Sequence, residues 1–440
     1  MPKELPGFYF DAEKNRYFPS SSKPDGKARS SKPHLQEVRA TNHQHTPKPL
    51  SLPKSLSPTC HRSPSVWHAI QRSRLAKHQR ERIAATHQVM SAQLAATRAY
   101  QAIPVPVYPG QTLTAFAAGA YEGKVWSLAG DSYGVIHAFD PSPISDFLSV
   151  PEHTFQHSWT RAYQLDSHIS SICSSDSRWV ATSFSSSILI HDLPSNRTVG
   201  LSPSPHLACD IWTSNLRNRS LVLGVRQHAL LMQDLESLRD ARRLETQSDV
   251  FALHQEESLV YTGSRNGSIR RFDTRTRAPG LTLLSEEFTK SSNSITYLNV
   301  IKDWQLLVST IRGTIEIFDV RYLQGSRPLL ALLGHVNSYQ PKLPHAITPS
   351  QSHFFAAGLD GRIRGWSLLT GEPLSCSSTS PFSIMEIPGH QTHAVDTPTS
   401  LFAVMFEELI TSLEITQVRH ELCLFATSGS GLHRFILGRP

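Results

Sequence analysis

Two tetrapeptides of the same pattern are the residues in this sequence best suited to specific chemistry. They are Phe272–Arg275 (FDTR) and Phe318–Arg321 (FDVR). In each, an Asp ends an apolar run, and the Arg two residues later points the same way along an extended chain. A guanidinium group is a planar fork of N–H donors that matches a carboxylate at two points. Two interpretations of the tetrapeptides therefore stay open: binding of an acidic partner, and an ion pair inside each repeat.

No signature of a catalytic or metal site accompanies these tetrapeptides. The sequence contains no GxxxxGK[ST] phosphate loop, no HExxH zinc motif and no GxSxG nucleophile elbow. Its 22 histidines are scattered, and its five cysteines lie far apart without a CxxC pair. We therefore expect a protein without enzyme activity, cofactor or metal ion, in a reducing compartment.

Composition and charge exclude some locations and leave the class of partner open. The formal net charge is +7, which is compatible with an acidic protein, nucleic acid or an anionic surface. The charged N-terminus lacks the apolar run of a signal peptide, and no stretch approaches the roughly 18 apolar residues of a membrane span. We expect a nuclear and/or cytoplasmic protein that is neither secreted nor membrane-embedded.

Both tetrapeptides lie in segments that repeat one series of four short apolar runs. Turn pairs, Asn266-Gly267 in the first segment and Arg312-Gly313 in the second, separate the second run from the third. Runs that lie about ten residues apart and are bounded by such turns predict strands. The predicted strands are Val250–His254, Leu259–Gly263, Ser268–Phe272 and Leu281–Leu284, then Ser294–Val300, Trp304–Ser309, Thr314–Phe318 and Pro328–Leu333.

Similar strand ends recur from Gln111 to Leu437, near the spacing of roughly 40–45 residues that is typical of propeller blades. A Gly-His pair, usual before the first strand of such repeats, remains at Gly334-His335. Closing the blades into a ring removes the unpaired edges of an open array. We therefore predict an all-β fold: a seven-bladed WD40-type β-propeller over residues 111–440, preceded by a disordered Ser/Pro-rich segment and one amphipathic helix.

Two segments at the N-terminus differ sharply in composition. Residues 1–18 include five aromatic side chains in the stretch LPGFYFDAEKNRYF. They predict a small aromatic hook that docks on its own fold or on a partner, because so short a hairpin is not stable alone. Residues 19–64 are rich in Ser, Pro, Lys and His and are predicted to be disordered, since they cannot bury enough apolar surface to fold.

Residues 65–100 are predicted to form an amphipathic helix. They contain no Gly or Pro, many good helix formers, and a suitable N-cap at Ser65. Ile83, Met90 and Leu94 fall close to one side at 3.6 residues per turn. Three interpretations stay open: a helix packed on its own domain, a basic arm for nucleic acid, and a helix whose apolar stripe enters a partner's groove.

The N-terminal LPGFYFDAEKNRYF segment, the Ala/Arg-rich helix and a divergent propeller with tandem FDxR endings together resemble one family. It is the cullin-4-associated factor 4 family, also called WD repeat protein 21-like. The resemblance covers nearly the whole chain. The sequence departs from the family pattern in two ways. Phe replaces Trp before the Asp of both tetrapeptides, and Asn266 and Arg312 stand where an acidic residue usually precedes the turn glycine.

The resemblance implies a non-catalytic substrate receptor of a cullin-4–RING ubiquitin ligase. The propeller would dock on the adaptor, damaged-DNA-binding protein 1, with the helix in the adaptor's groove and the arginines against acidic residues at its rim. It would present a protein substrate, which the sequence does not identify; neither nucleic acid nor a membrane is expected as a partner. The alternative is a WD40 scaffold in another assembly, such as a ribosome-assembly or RNA-processing complex. The implied adaptor-binding residues are Asp273, Arg275, Asp319, Arg321, Ile83, Met90 and Leu94.

Overall fold

The structure, a computed structural model, describes thirteen stretches of the chain in two separate units, Met1–Val66 and Trp67–Pro440. In the first unit, the strands β1 (Phe8–Asp11) and β2 (Arg16–Pro19) pair as an antiparallel hairpin within the predicted hook. The predicted disordered segment after Pro19 lies outside the described residues. The described stretches are 8–11, 16–19, 66–98, 100–122, 124–139, 159–175, 177–204, 206–236, 241–285, 293–322, 327–374, 400–418 and 420–439.

Seven antiparallel sheets follow one another along the second unit. The first five hold β4 (Leu113–Tyr121), β5 (Lys124–Asp131), β6 (Val135–Phe139) and β7 (Trp159–Gln164); β8 (Ile169–Ser175), β9 (Arg178–Ser183), β10 (Ile188–Asp192) and β11 (Arg197–Leu201); β12 (Thr213–Arg217), β13 (Ser220–Gly224), β14 (His228–Met232) and β15 (Ala241–Glu245); β16 (Val250–Glu256), β17 (Leu259–Ser264), β18 (Ile269–Asp273) and β19 (Leu281–Leu284); β20 (Ile295–Ile301), β21 (Gln305–Thr310), β22 (Ile315–Asp319) and β23 (Leu330–Ala331). The sixth holds β24 (His345–Ile347), β25 (His353–Ala357) and β26 (Ile363–Ser367), and the seventh holds β27 (Ile410–Val418), β28 (Glu421–Ser428), β29 (Gly431–Ile436) and β3 (Tyr100–Pro104).

These sheets are the blades of a seven-bladed β-propeller, which confirms the predicted fold class. The first strand of the first blade, β4, contacts the first strands of the second and seventh blades, β8 and β27, so the array closes into a ring. Within the described residues, the helical elements are α1 (Val66–Ala95) before the ring and a short 3-10 helix (Leu401–Ala403) before the seventh blade. Within the described stretches, no helix combines the length and apolar character that a membrane crossing requires.

The second strands of the blades show why the sequence reads as continuous apolar runs. In β9, β17 and β21, every residue after the first is buried. Blades pack face to face around the ring, so these strands have a neighbouring blade on both sides and need no polar face. A short, continuous apolar run is what such a strand requires.

The ring is closed by a strand from the N-terminal side of the propeller. Strand β3 pairs antiparallel with β29, and Ile103, which is 1% exposed, lies opposite the equally buried Leu432. The seventh blade is therefore built from both ends of the second unit. The predicted propeller begins at residue 111, after the prolines that follow Ile103. Proline is compatible with β3 because β3 is the outermost of the described strands of its sheet, so one of its edges needs no ladder hydrogen bonds.

The Ile103→Ala variant is expected to lose about 2–5 kcal/mol of the free energy of unfolding, because it leaves a cavity where the ring closes. The matched control is Leu333→Ala, since Leu333 is 76% exposed and its truncation should change stability by less than about 0.5 kcal/mol. Chemical denaturation of both variants measures the difference. Equal stability of the two variants would show that β3 does not hold the ring closed.

Candidate partner-binding rim

Arg275 and Arg321 lie at equivalent positions of neighbouring blades. Each follows the third strand of its blade, β18 in the fourth and β22 in the fifth, whose last residues are Asp273 and Asp319. Because these blades have the same strand order and are related by rotation about the ring, their third strands end on the same rim of the disc. We call this the third-strand rim. The fold therefore brings the two predicted arginines to one face.

Each arginine forms a two-point ion pair with the aspartate of its own blade. The Nε and Nη2 atoms of Arg275 lie 3.0 and 2.7 Å from the two carboxylate oxygens of Asp273. The corresponding distances between Arg321 and Asp319 are 2.9 and 2.7 Å. Hydrogen bonding from Arg275 lowers the pKa of Asp273 to about 2, and hydrogen bonding from Arg321 lowers the pKa of Asp319. Both aspartates are therefore ionised, and both pairs are formed, at neutral pH.

The ion pairs leave both guanidinium groups accessible. The side chain of Arg275 is 72% exposed and that of Arg321 is 55% exposed. The pairs use Nε and Nη2, and no described residue accepts a hydrogen bond from Nη1 of either arginine. Arg321 also lies 4.5 Å above the ring centroid of Trp304, a cation–π contact that further orients it. The aspartates thus position the two forks while one edge of each fork faces solvent.

Helix α1 reaches the same rim at the sixth blade. The third strand of that blade, β26, ends at Ser367, where the two preceding blades have aspartate. The Ser367 hydroxyl accepts hydrogen bonds from the backbone N–H groups of Leu369 and Thr370, at 3.2 and 3.0 Å. Its Oγ also lies 2.7 Å from Nε2 of His87 on α1. Three consecutive blades therefore present Arg275, Arg321 and α1 along the third-strand rim.

The C-terminal part of α1 packs on the chain's own propeller. Leu94 is 3% exposed and belongs to a core cluster with Phe355 and Phe435, and Met90 packs against the same cluster. The ring of His87 stacks on that of His353 with their centroids 4.7 Å apart. This part of the helix matches the first of the three interpretations, a helix packed on its own domain.

The preceding part of α1 projects from the propeller. Every residue from Lys77 to Thr86 is exposed, and Ile83 is 55% exposed. Of the three helix residues that the resemblance implies for adaptor binding, only Ile83 has its side chain largely in solvent. Leu94 cannot reach a partner while α1 is packed, because its side chain fills the chain's own core. The predicted apolar stripe is divided between two surfaces.

A cavity of about 360 Å³ occupies the centre of the ring and was not predicted from the sequence. Lys342 lines it and donates a hydrogen bond to the carbonyl oxygen of Ser170. On β27, burial raises the pKa of the Glu414 carboxyl to about 8. The sequence does not indicate that either side chain faces the interior of the ring. Lys342 lies between two prolines and Glu414 lies in a strand of alternating pattern, and charged residues in such places are usually on the surface.

The Glu414→Gln variant is expected to be more stable than the wild type at about pH 9 and similar to it at about pH 4. The folded-state pKa of Glu414 is raised from 4.5 to about 8, so its carboxyl favours folding below pH 4.5, and this stability is lost as the pH rises through 8. The advantage of Gln, which does not titrate, should grow across that window. Unfolding midpoints across this pH range measure it, with the exposed Glu407→Gln as control; a pH-independent difference would contradict it.

The comparisons with curated proteins yield WD repeat-containing proteins. Over 128 residues the chain is 30% identical to WD repeat-containing protein 21 of Schizosaccharomyces pombe, covering 28% of this chain and 30% of that protein. Over 154 residues it is 27% identical to the uncharacterized WD repeat-containing protein F47D12.9 of Caenorhabditis elegans, covering 34% of this chain and 26% of that protein. The matches thus span less than a third of either relative. No family model matches the chain.

Among solved structures, the computationally designed protein Ika8 aligns with 77% of this chain and 100% of its own, at 14% identity and a TM-score of 0.45. That likeness carries no argument. Propellers with WD repeats are generally non-catalytic scaffolds, and neither relative is named as an enzyme. By its fold and its relatives, the chain is a seven-bladed β-propeller of the WD40 type.

Proposed function

We propose that this chain is a substrate receptor of a cullin-4–RING ubiquitin ligase that docks on the adaptor damaged-DNA-binding protein 1. The observation that carries the proposal is the third-strand rim, where two accessible arginine forks and a projecting helix occupy three consecutive blades. The resemblance of the sequence to the WD repeat protein 21-like family supports the proposal. So does the name of the yeast relative, WD repeat-containing protein 21.

The proposed docking uses two kinds of contact. The exposed part of α1, with Ile83 as its apolar anchor, would enter a groove of the adaptor. Arg275 and Arg321 would then meet adaptor carboxylates through the edges that their own aspartates leave open. Because Asp273 and Asp319 already hold the forks in one orientation, little side-chain entropy is lost on docking. The propeller contributes surfaces, and ubiquitin transfer belongs to other subunits of the ligase.

A second candidate, a scaffold in an RNA-processing or ribosome-assembly complex, is favoured by one observation. The exposed part of α1 includes Lys77, Arg80 and Arg82. Contacts of these side chains with phosphates would make association fall steeply with salt, by about 0.7–0.9 logarithmic units per phosphate contact for each tenfold rise in salt.

One capture experiment tests the proposal and separates the two candidates. Purified adaptor is passed over the immobilised full chain at a low and a high salt concentration, beside a structured RNA of similar mass. We expect the adaptor to be retained at both salt concentrations and the RNA to be lost at high salt. If the adaptor binds the wild-type chain at neither salt concentration, the ligase proposal is overturned.

A further inference from the structure

An arginine-rich cleft of about 930 Å³ lies between the third and fourth blades. One wall is β15, the outermost strand of the third blade, and the other is formed by β18 and the turn that follows it. Among the described residues that line the cleft, five are arginines and one, Glu245, is acidic. The arginines are Arg242, Arg243, Arg270, Arg275 and Arg277.

Neutral backbone groups, not carboxylates, hold two of these arginines. The Nη1 atom of Arg242 donates to the carbonyl oxygen of Thr276, and that of Arg270 donates to the carbonyl oxygen of Glu245 at 2.9 Å. Arg275 alone among the five has an ion pair with a described residue, Asp273. Backbone carbonyls orient a guanidinium group without neutralising it. The cleft therefore concentrates positive charge that is not balanced by its described neighbours.

One buried donor in the cleft also lacks an acceptor. The Nε atom of Arg270 is buried and has no hydrogen-bond partner among the described residues. A buried polar group without a partner costs free energy, and a charged one costs more. An anionic group bound beside the Arg270 guanidinium would offset part of that cost through its charge.

The wall formed by β15 suggests the shape of the ligand. β15 pairs with β14 on one side and is the last strand of its sheet, so no described strand pairs with its other edge. An extended peptide can add to such an edge through backbone hydrogen bonds, with specificity from alternate side chains. Leu244 and Phe272, both buried, provide an apolar base. A slot with a strand edge on one wall fits an extended chain better than a flat bilayer.

We propose that this cleft binds an extended acidic segment of a protein partner, with glutamate, aspartate or phosphoserine side chains on the arginines. The cleft shares Arg275 with the proposed adaptor contact, but Arg243 and Arg277 are not among the residues assigned to the adaptor and so test the cleft separately. Both are exposed, and neither has an ion pair with a described residue, so both can be replaced without breaking the fold.

The test is a fluorescence anisotropy titration of the full chain with three labelled peptides of equal length. They are a Glu-Ser repeat, a Gln-phosphoserine repeat and a neutral Gln-Ser repeat. We expect the two anionic peptides to bind and the neutral peptide not to bind. Tighter binding of the Glu-Ser peptide identifies carboxylate as the preferred group, and tighter binding of the Gln-phosphoserine peptide identifies phosphate. Absence of binding by both anionic peptides would overturn the proposal.

Matched variants separate the cleft from general electrostatic attraction. Arg243→Gln/Arg277→Gln should weaken the anionic peptides about tenfold or more. Arg226→Gln/Arg439→Gln removes the same charge from exposed arginines outside the cleft and should leave the affinity for the anionic peptides unchanged. Equal losses would overturn the proposal. An oligonucleotide and anionic vesicles are titrated alongside the peptides, and a loss confined to these two probes would also overturn it. Adaptor capture should be unchanged in both variants, so the two proposals can fail separately.

Discussion

The Arg275→Ala/Arg321→Ala variant is expected to bind the adaptor about 100-fold more weakly than the wild-type chain. Each truncation removes a fork that would pair with an adaptor carboxylate, and arginines at the centre of an interface are frequent hot spots. It also leaves that carboxylate without its partner, which adds to the loss. Surface plasmon resonance with the purified adaptor measures the change. Most of it should appear in the dissociation rate, as is usual for interface truncations.

The variant itself should remain folded. Both arginines are largely exposed, and exposed ion pairs contribute little to the free energy of unfolding. A lowered affinity can therefore be assigned to the lost contacts once the unfolding midpoint of the variant matches that of the wild type. If the midpoint also falls, separate Arg275→Lys and Arg321→Lys variants keep the charge and remove only the fork.

Arg364→Ala is the matched control for the double variant. Arg364 also makes a two-point ion pair, with Asp360 at 2.9 and 2.7 Å. That pair lies near the start of the third strand of its blade, β26, so it is on the rim opposite Arg275 and Arg321. Adaptor binding should survive this substitution. Full binding by the double variant, or an equal loss in the control, would remove the two arginines from the proposed contact.

The fold class could be predicted because a propeller repeats a local pattern. Each blade encodes its own strands and turns, so the tandem segments around Asn266-Gly267 and Arg312-Gly313 predicted two complete blades. The equivalent positions of Arg275 and Arg321 followed from the same repetition. The intrablade ion pairs were foreseen as an alternative, but the sequence could not show that the forks would stay exposed within those pairs.

Features that join distant parts of the chain could not be predicted. The pairing of β3 with β29 joins the two ends of the second unit, and no local pattern reports it. The arginine-rich cleft combines β15 with β18, whose arginines look like ordinary surface residues in each strand alone. The division of α1 has the same origin. Helical periodicity places Ile83 and Leu94 on one stripe, but only the propeller decides which part of that stripe it covers.

The division of α1 into a packed part and an exposed part leads to the second prediction with a large expected effect. Ile83→Asp is expected to weaken adaptor binding about 100-fold, because it places a charge on the exposed apolar residue that would anchor the helix in the adaptor's groove. The stability of the chain should hardly change, since Ile83 is 55% exposed. Affinity for the adaptor and the unfolding midpoint are measured on the same preparation.

Leu94→Ala is the contrasting variant on the same helix. Leu94 is 3% exposed, so its truncation should cost about 2–5 kcal/mol of stability through the cavity that it leaves. Where the variant remains folded, it should still bind the adaptor through the exposed part of α1. The two substitutions are therefore expected to have opposite effects. Ile83→Asp should lose adaptor binding and keep its stability, whereas Leu94→Ala should lose stability and keep adaptor binding. If Ile83→Asp binds the adaptor as tightly as the wild type does, the exposed part of α1 does not anchor the chain on the adaptor.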